Sequence, residues 1–172
     1  LVTMGGASAW AARENVNLTS ARAVGADAKP DTTAGRDTSG RRSDELLAVT
    51  SPSATTRRPV SLPGAHFDMI LDRTHWLTSG YEDPRITVML DGSTFFALSK
   101  EGANVGVFPA SGTLHRAGWI WPENTERLLR NTAGLIVEPT GGGYVVLFAN
   151  EPFFRAWWHA LDRLVLNAIV LG

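Results

Sequence analysis

Residues 132–172 read TAGLIVEPTGGGYVVLFANEPFFRAWWHALDRLVLNAIVLG. Residues 135–137 and 144–149 are rich in β-branched and aromatic side chains, and Gly141, Gly142 and Gly143 stand between them. Glycine supplies the positive φ that a tight reversal needs, so this spacing predicts a β-hairpin. After Pro152 the period changes. Trp157, Trp158, Leu161, Leu164, Val165, Ala168 and Ile169 recur at helical spacing, with Arg155, His159, Asp162, Arg163 and Asn167 opposite them. A hairpin followed by an amphipathic helix is a packed C-terminal unit, and it carries no chemistry by itself.

The chain around this unit has 172 residues, enough for one domain with its own core. Its net charge is 16 − 17 = −1, which offers no electrostatic capture of nucleic acid or of an anionic membrane. No apolar run is long enough to span a bilayer. The absence of cysteine excludes disulfides, thiolate metal sites and a cysteine nucleophile. Leu1, Val2, Thr3 and Met4 precede two glycines and lack the basic start of a signal peptide.

Three segments follow from the composition. Residues 1–18 read as a strand, a glycine turn and a helix over 7–16 with Ser8 as its cap, which is half of a βαβ unit. Residues 19–62 are dense in Ala, Gly, Ser, Thr, Asp, Arg and Pro and read as a surface insertion or linker, with one short helix over 43–48. The pairs Arg41-Arg42 and Arg57-Arg58 read there as solvated loop, a protease site being the alternative. Residues 63–172 complete the domain. Strands are expected over 65–71 and 105–108, a second hairpin through Asp91-Gly92 joins 86–90 to 94–98, and Pro122 opens a short helix to Arg130. Residues 118–121 (GWIW) are expected to be buried. The fold class is α/β, with a mostly parallel sheet, antiparallel additions near the C-terminus and a terminal helix.

Candidate chemistry is sparse. His66, His75, His115 and His159 show none of the spacings of a catalytic zinc site. His75 reads as a turn residue held by Asp72, and His159 as the polar face of a helix. Ser8 follows a strand and precedes a helix, where a nucleophile elbow would place a serine. Its context, Gly6-Ala7-Ser8-Ala9-Trp10, lacks the second glycine of Gly-x-Ser-x-Gly. The glycines at 141–143 lack a following Lys-Ser/Thr, so they are a turn and not a phosphate cradle. Arg155 reads as one side of a structural ion pair, with anion binding as the alternative. Exposed tryptophans on a groove would suit a peptide- or glycan-binding module.

Several stretches together resemble the C-terminal, class I glutamine amidotransferase-like domain of bacterial zinc carboxypeptidase-like proteins. They are residues 1–8 (LVTMGGAS); Pro63-Gly64-Ala65 leading to Asp72, His75 and Gly80; Ser111-Gly112 and Gly118-Trp119; and the pattern Gly-x-x-Val-Val-Leu-Phe-x-x-x-Pro-x-x-Arg ending at Arg155. The resemblance implies a partial flavodoxin-like fold. In active relatives the elbow after the strand that residues 1–4 match holds a cysteine; the matching position here is Gly5, or Gly6 with a one-residue slip. Glycine cannot attack a carbonyl, so the resemblance implies a pseudoenzyme. It places zinc in the parent's peptidase domain, with no cofactor in this chain. A secreted parent would place the domain outside the cytoplasm.

The function expected is therefore a non-catalytic accessory domain, packing on or assembling a peptidase domain. The alternatives are a serine hydrolase using Ser8 with His75 or His115, and the binding module above. The apolar first strand reads as interior, so it calls for neighbours on both sides, from an upstream peptidase domain or chain or by self-association. Purified chain is expected to contain no stoichiometric zinc by elemental analysis. One zinc per chain, lost on substitution of His66 or His75, would contradict that reading of the histidines.

Overall fold

A computed structural model describes residues 1–26 and 57–172. The expected helix over 43–48 and the Arg41-Arg42 pair lie outside the described residues. Strand β1 (Val2–Met4) leads into helix α1 (Gly5–Ala11). Strands β2 (Leu62–Leu71), β3 (Arg85–Gly92), β4 (Ala103–Val107) and β5 (His115–Gly118) follow. A wide helical turn, Pro122–Glu126, runs into α2 (Arg127–Leu129). Strands β6 (Ala133–Thr140) and β7 (Gly143–Phe148) and helix α3 (Asp162–Val170) complete the order.

The strands form one mixed sheet in the order β1-β7-β6-β4-β2-β3, with β5 also paired to β2. The C-terminal hairpin is present as read: β6 and β7 pair from Leu135↔Phe148 to Thr140↔Gly143, closed by Gly141 at φ +60°. The expectation of a mostly parallel, flavodoxin-like sheet is corrected. Among the described strands only β1 and β7 run parallel; β2·β3, β2·β4, β2·β5, β4·β6 and β6·β7 are antiparallel. A parallel neighbour needs a long crossover, usually through a helix. The helical pieces between β2 and β7 are at most eight residues long, too short for a parallel crossover, so those strands return antiparallel. The architecture is α/β with few helices and an antiparallel-rich, curled sheet.

β6 and β7 are buried on both faces. Leu135, Val137, Val146 and Phe148 join a core with Phe67, Met69, Leu71, Leu77 and the inner face of α3. Ile136, Val145 and Leu147 join a second core with Ala11 and Ala12, Ala21 and Phe96. A Cβ on Gly134 of β6 would lie 2.6 Å from Met69 Sδ, so glycine there lets β2 and β6 side chains interlock.

Four further expectations are corrected. β1 lies at the end of the strand order, not inside it. Asp91 and Gly92 stay in β3 as its last residues, Gly92 at φ +73°, with a bend following at Ser93, and residues 94–98 do not fold back on β3. Phe96, fully buried, crosses instead to bridge Ala23 and Ala133 in the second core. Trp119 is 52% exposed, because β5 is a short strand that ends at Gly118 beside Ala65. The last helix starts at Asp162, and residues 157 and 158 precede it.

Helix α3 keeps its expected inner face at Leu161, Leu164, Val165 and Ala168 and departs from expectation at Asn167 and Ile169. Leu161, Leu164, Val165 and Ala168 face the core, while Leu166, Ile169 and Val170 are 58%, 66% and 74% exposed. Asn167, expected on the solvent side, points inward and donates to Leu77 O (2.8 Å) and Ser79 O (2.9 Å). Residues 19–26 and 57–62 are likewise no bare linker. Val24 N donates to Phe95 O, Ala97 N to Arg22 O, and Val60 N to Asn124 Oδ1. The two faces of α3 give a paired test by denaturant unfolding. Leu164→Ala is expected to cost about 2–5 kcal/mol and Leu166→Ala less than about 1 kcal/mol.

Candidate functional site

Three places gather polar side chains: the bend between β1 and α1, the buried carboxylate of Glu138, and the buried carboxylate of Asp68. At the bend, Gly5 takes φ +48° directly after the strand, and a Cβ there would meet nothing within 4 Å. The turn thus has the open, positive-φ form of an elbow and bears no side chain. Met4, not Ser8, occupies the cap position of α1. Ser8 lies one turn inside the helix and is fully buried. Its Oγ is 3.0 Å from Thr3 Oγ1, and Thr3 donates to Val146 O at 3.3 Å. With the Thr3 proton so committed, Thr3 accepts from Ser8.

The histidines do not converge on Ser8. His75 Nδ1 accepts from Leu77 N at 3.2 Å, capping the turn Trp76–Thr78. Asp72 holds that turn through its backbone: its carbonyl accepts from His75 N, while its carboxylate takes the Thr74 amide and hydroxyl. Burial lowers the His75 pKa. His115 Nε2 donates to Gly118 O at 3.0 Å, within β5. His159 pairs with Asp162 at 2.7 Å, just ahead of α3. His66 is held by rings, with Trp158 at 4.5 Å and Trp157 at 6.3 Å between centroids. Its Nε2 is shielded from solvent and has no hydrogen-bond partner. Among the described residues no group of three His, Cys, Asp or Glu is gathered as a metal ion would need.

Arg155 lies in the turn Phe154–Ala156, before the helix, with its guanidinium 5.1 Å from the Phe154 ring centroid. Arg155 and Ala156 both take positive φ (+50° and +56°), which breaks the helical pattern of residues 153–160. Contacts on β3 hold the chain here: Trp158 Nε1 donates to Thr87 O at 3.3 Å and Asn150 Nδ2 to Met89 O at 2.8 Å.

Sequence reasoning missed both buried carboxylates. Glu138, on β6, accepts four donors: Ser99 Oγ (2.6 Å) and Ser20 Oγ (2.8 Å) on Oε1, Ser20 N (2.7 Å) and the Thr19 hydroxyl on Oε2. Burial alone would raise its pKa; the donors from Ser99, Thr19 and Ser20 outweigh burial and hold the group below its ordinary range. An open hollow of about 320 Å³ beside it is lined by Asn17, Arg22, Glu101 and Thr140, among others. Asp68, on β2, is 1% exposed and splits its oxygens between two cations: Arg116 Nε at 2.7 Å and Arg85 Nη1 at 3.2 Å. Burial again opposes ionisation, and the two arginines overcome it and lower the pKa. The signal for both was an acid inside an apolar strand, at Phe67-Asp68-Met69 and Val137-Glu138-Pro139.

Compared with protein-family models, with curated proteins and with solved structures, the chain shows no match.

The carboxylates set an acid limit on stability. The folded pKa values of Asp68, Asp72 and Glu138 lie below their unfolded values, so the unfolded chain takes up protons first as pH falls. Their stabilisation is complete above the ordinary values, 3.8 for Asp and 4.5 for Glu, and is lost as pH falls below them. His75 adds a shallower loss that starts below its ordinary 6.5, because its folded form is held neutral. Thermal unfolding followed from neutral to acid pH is expected to show a gentle decline and then a steep one. Glu138→Gln is expected to cost roughly 1.5–3 kcal/mol at neutral pH and to flatten the steep limb.

Proposed function

We propose that this chain is a non-catalytic accessory module that works by association. That is the role implied by its resemblance to the amidotransferase-like appendage of zinc carboxypeptidase-like proteins. The observation that carries the reading is the bend after β1, where the elbow position is Gly5 and the nearby hydroxyl, Ser8, is buried and bonded to Thr3. A hydrolase using Ser8 would need a base within hydrogen-bond reach, and neither His75 nor His115 is bonded to it. The sheet lends no weight to the resemblance, because its pairing is antiparallel-rich. The reading rests on the bend and on the surface.

The surface supports association. Leu166, Ile169 and Val170 form one exposed apolar face of α3, at i, i+3, i+4 spacing. Around the end of that helix the apolar groups continue. A Cβ on Gly172 would lie 3.1 Å from the Trp76 ring, Trp76 is 6.3 Å from Tyr144, and Tyr144 O accepts from the Leu1 amine at 2.8 Å. Leu1 and Tyr144 are exposed, and β1 beside them has one edge without a partner strand among the described residues. An exposed apolar helix face of this kind is what an association site covers. A second copy is the simplest occupant, since a two-fold contact lays one apolar helix face against itself.

Sedimentation at micromolar concentrations tests this. The full chain is expected to self-associate, and the double variant L166E/I169E to sediment as a folded monomer. A monomer at every concentration, unchanged by those substitutions, would rule out self-association through α3. Hydrolysis of ester or amide substrates that is lost in Ser8→Ala would overturn the non-catalytic reading itself.

A further inference from the structure

The outer face of β2, opposite the core, carries His66, Asp68 and Ile70. Across β3 the directly paired residues are Met89, Thr87 and Arg85, and from β5 Arg116 reaches over to Asp68. We propose that this face is a binding site for an oxyanion, held between the guanidiniums of Arg85 and Arg116. It is independent of the accessory role above and lies on other strands than β1.

Charge comes first. One carboxylate is bonded to two cations, so the cluster carries −1 + 2 = +1. Among the described residues no second acidic side chain bonds either guanidinium; Asp83 Oδ1 takes the backbone amide of Arg85 at 2.8 Å. A single arginine would neutralise Asp68, so the second leaves a net positive charge on the cluster, whose directly paired β3 neighbours Thr87 and Met89 are uncharged.

Geometry comes next. Asp68 is buried, while the Arg85 and Arg116 side chains are 46% and 49% exposed. A guanidinium has five N–H donors in a fixed plane. Arg116 spends Nε on Asp68 and Arg85 spends Nη1, so most donors on both forks remain open. By taking the two cations on separate oxygens, Asp68 fixes both planes and limits the rotamer freedom a ligand would otherwise have to freeze. Paired, pre-oriented arginine forks match the oxygens of phosphate and carboxylate groups.

A second polar position stands on the same face. His66 is two residues from Asp68, roughly 6.6 Å along a strand. Its Nε2 has no partner, and Trp158 fixes the ring. Trp157 beside it is 53% exposed, an apolar wall next to a cationic one. The ligand class is therefore a small molecule or chain end with an oxyanion at the arginines and a less polar body.

The test uses the full chain at fixed ionic strength, so that general screening stays constant. Inorganic phosphate and acetate are titrated separately in exchange for chloride, and the Nε–Hε signals of Arg85 and Arg116 are followed by NMR. Saturating shifts of both signals are expected, with a Kd on the order of millimolar for so small and open a site. Tighter binding of phosphate assigns a phosphate-bearing ligand, and equal or tighter binding of acetate a carboxylate-bearing one.

Two variants are informative. Arg85→Lys keeps a charge for Asp68 but loses the fork, and is expected to weaken binding at least about tenfold. Ile70→Glu sets a competing acid directly opposite Arg85 at an exposed position without replacing Asp68, Arg85 or Arg116, and is expected to abolish binding in a chain that still folds. Arg13→Gln, exposed just beyond α1, should change nothing. Shifts that stay linear with concentration, or binding that survives Ile70→Glu, would show that Arg85 and Arg116 serve only to neutralise Asp68.

Discussion

The rest of the structure depends on the β6–β7 pair being buried on both of its faces. A strand with one wet face can be held by a single layer. These two strands send Leu135, Val137, Val146 and Phe148 to one side and Ile136, Val145 and Leu147 to the other. Each face must then be covered, and the cover has to come from both ends of the chain. α3 and the turn Trp76–Thr78 close one side, and α1 with residues 18–23 and Phe96 closes the other. β1, parallel to β7, ties the N-terminal layer to the hairpin. Burying a Val, Leu or Phe side chain contributes about 1.5–3 kcal/mol, so this pair links a large part of the apolar stabilisation of the domain.

Burial on both faces creates a cost at Glu138, which alternates onto the side of Ile136. The sheet resolves it without a counter-ion. Ser20, Ser99 and Thr19 supply three hydroxyls and an amide, and the carboxylate remains ionised in a buried place. Because those donors come from residues 19–20 and from the turn after Phe96, the same charge fastens two loops to β6. Asp68 resolves the same problem with cations, and the consequence is opposite. Hydroxyls are consumed by Glu138 and leave nothing outward, whereas arginines at Asp68 retain donors and charge on the surface. Removing one partner of either group leaves a buried carboxylate with fewer compensating bonds, which is why both are expected to be sensitive to substitution.

The hairpin was legible because its signals are local: apolar strands around three glycines, with the turn requiring positive φ at Gly141. The parallel β1 and the wide turn after Pro122 were legible for the same reason. What was not legible depends on distant partners. Residues 153–160 have a helical period, but Arg155 and Ala156 leave helical space so that Trp158 can reach Thr87 and cover His66. Asp91-Gly92 has the sequence of a hairpin turn but only ends β3, and Phe96 went to the second core. The acids at 68 and 138 could be recognised as buried from their apolar neighbours. Their partners, 17 and 48 residues away for Asp68 and 118 and 119 for Ser20 and Thr19 on Glu138, have no spacing that a linear reading detects.

The exposed face of α3 has a cause in the same kind of long-range demand. The tight turn Trp76–Thr78 leaves carbonyls without helical partners, and those of Leu77, Ser79 and Gly80 face α3. Asn167 donates to the first two and Arg163 to the third, at 2.8–2.9 Å. Of the three bonds only that to Leu77 O is partly buried, and leaving a buried carbonyl unsatisfied costs about 1–3 kcal/mol, comparable with the gain from burying one more isoleucine. Both demands cannot be met by one rotation of the helix. With Asn167 and Arg163 turned toward the carbonyls, Leu164, Val165 and Ala168 remain inward, and Leu166, Ile169 and Val170 are carried outward. The apolar pattern of this helix is therefore wider than one core needs. The part that the turn's carbonyls displace from the core is the part left for another surface to cover.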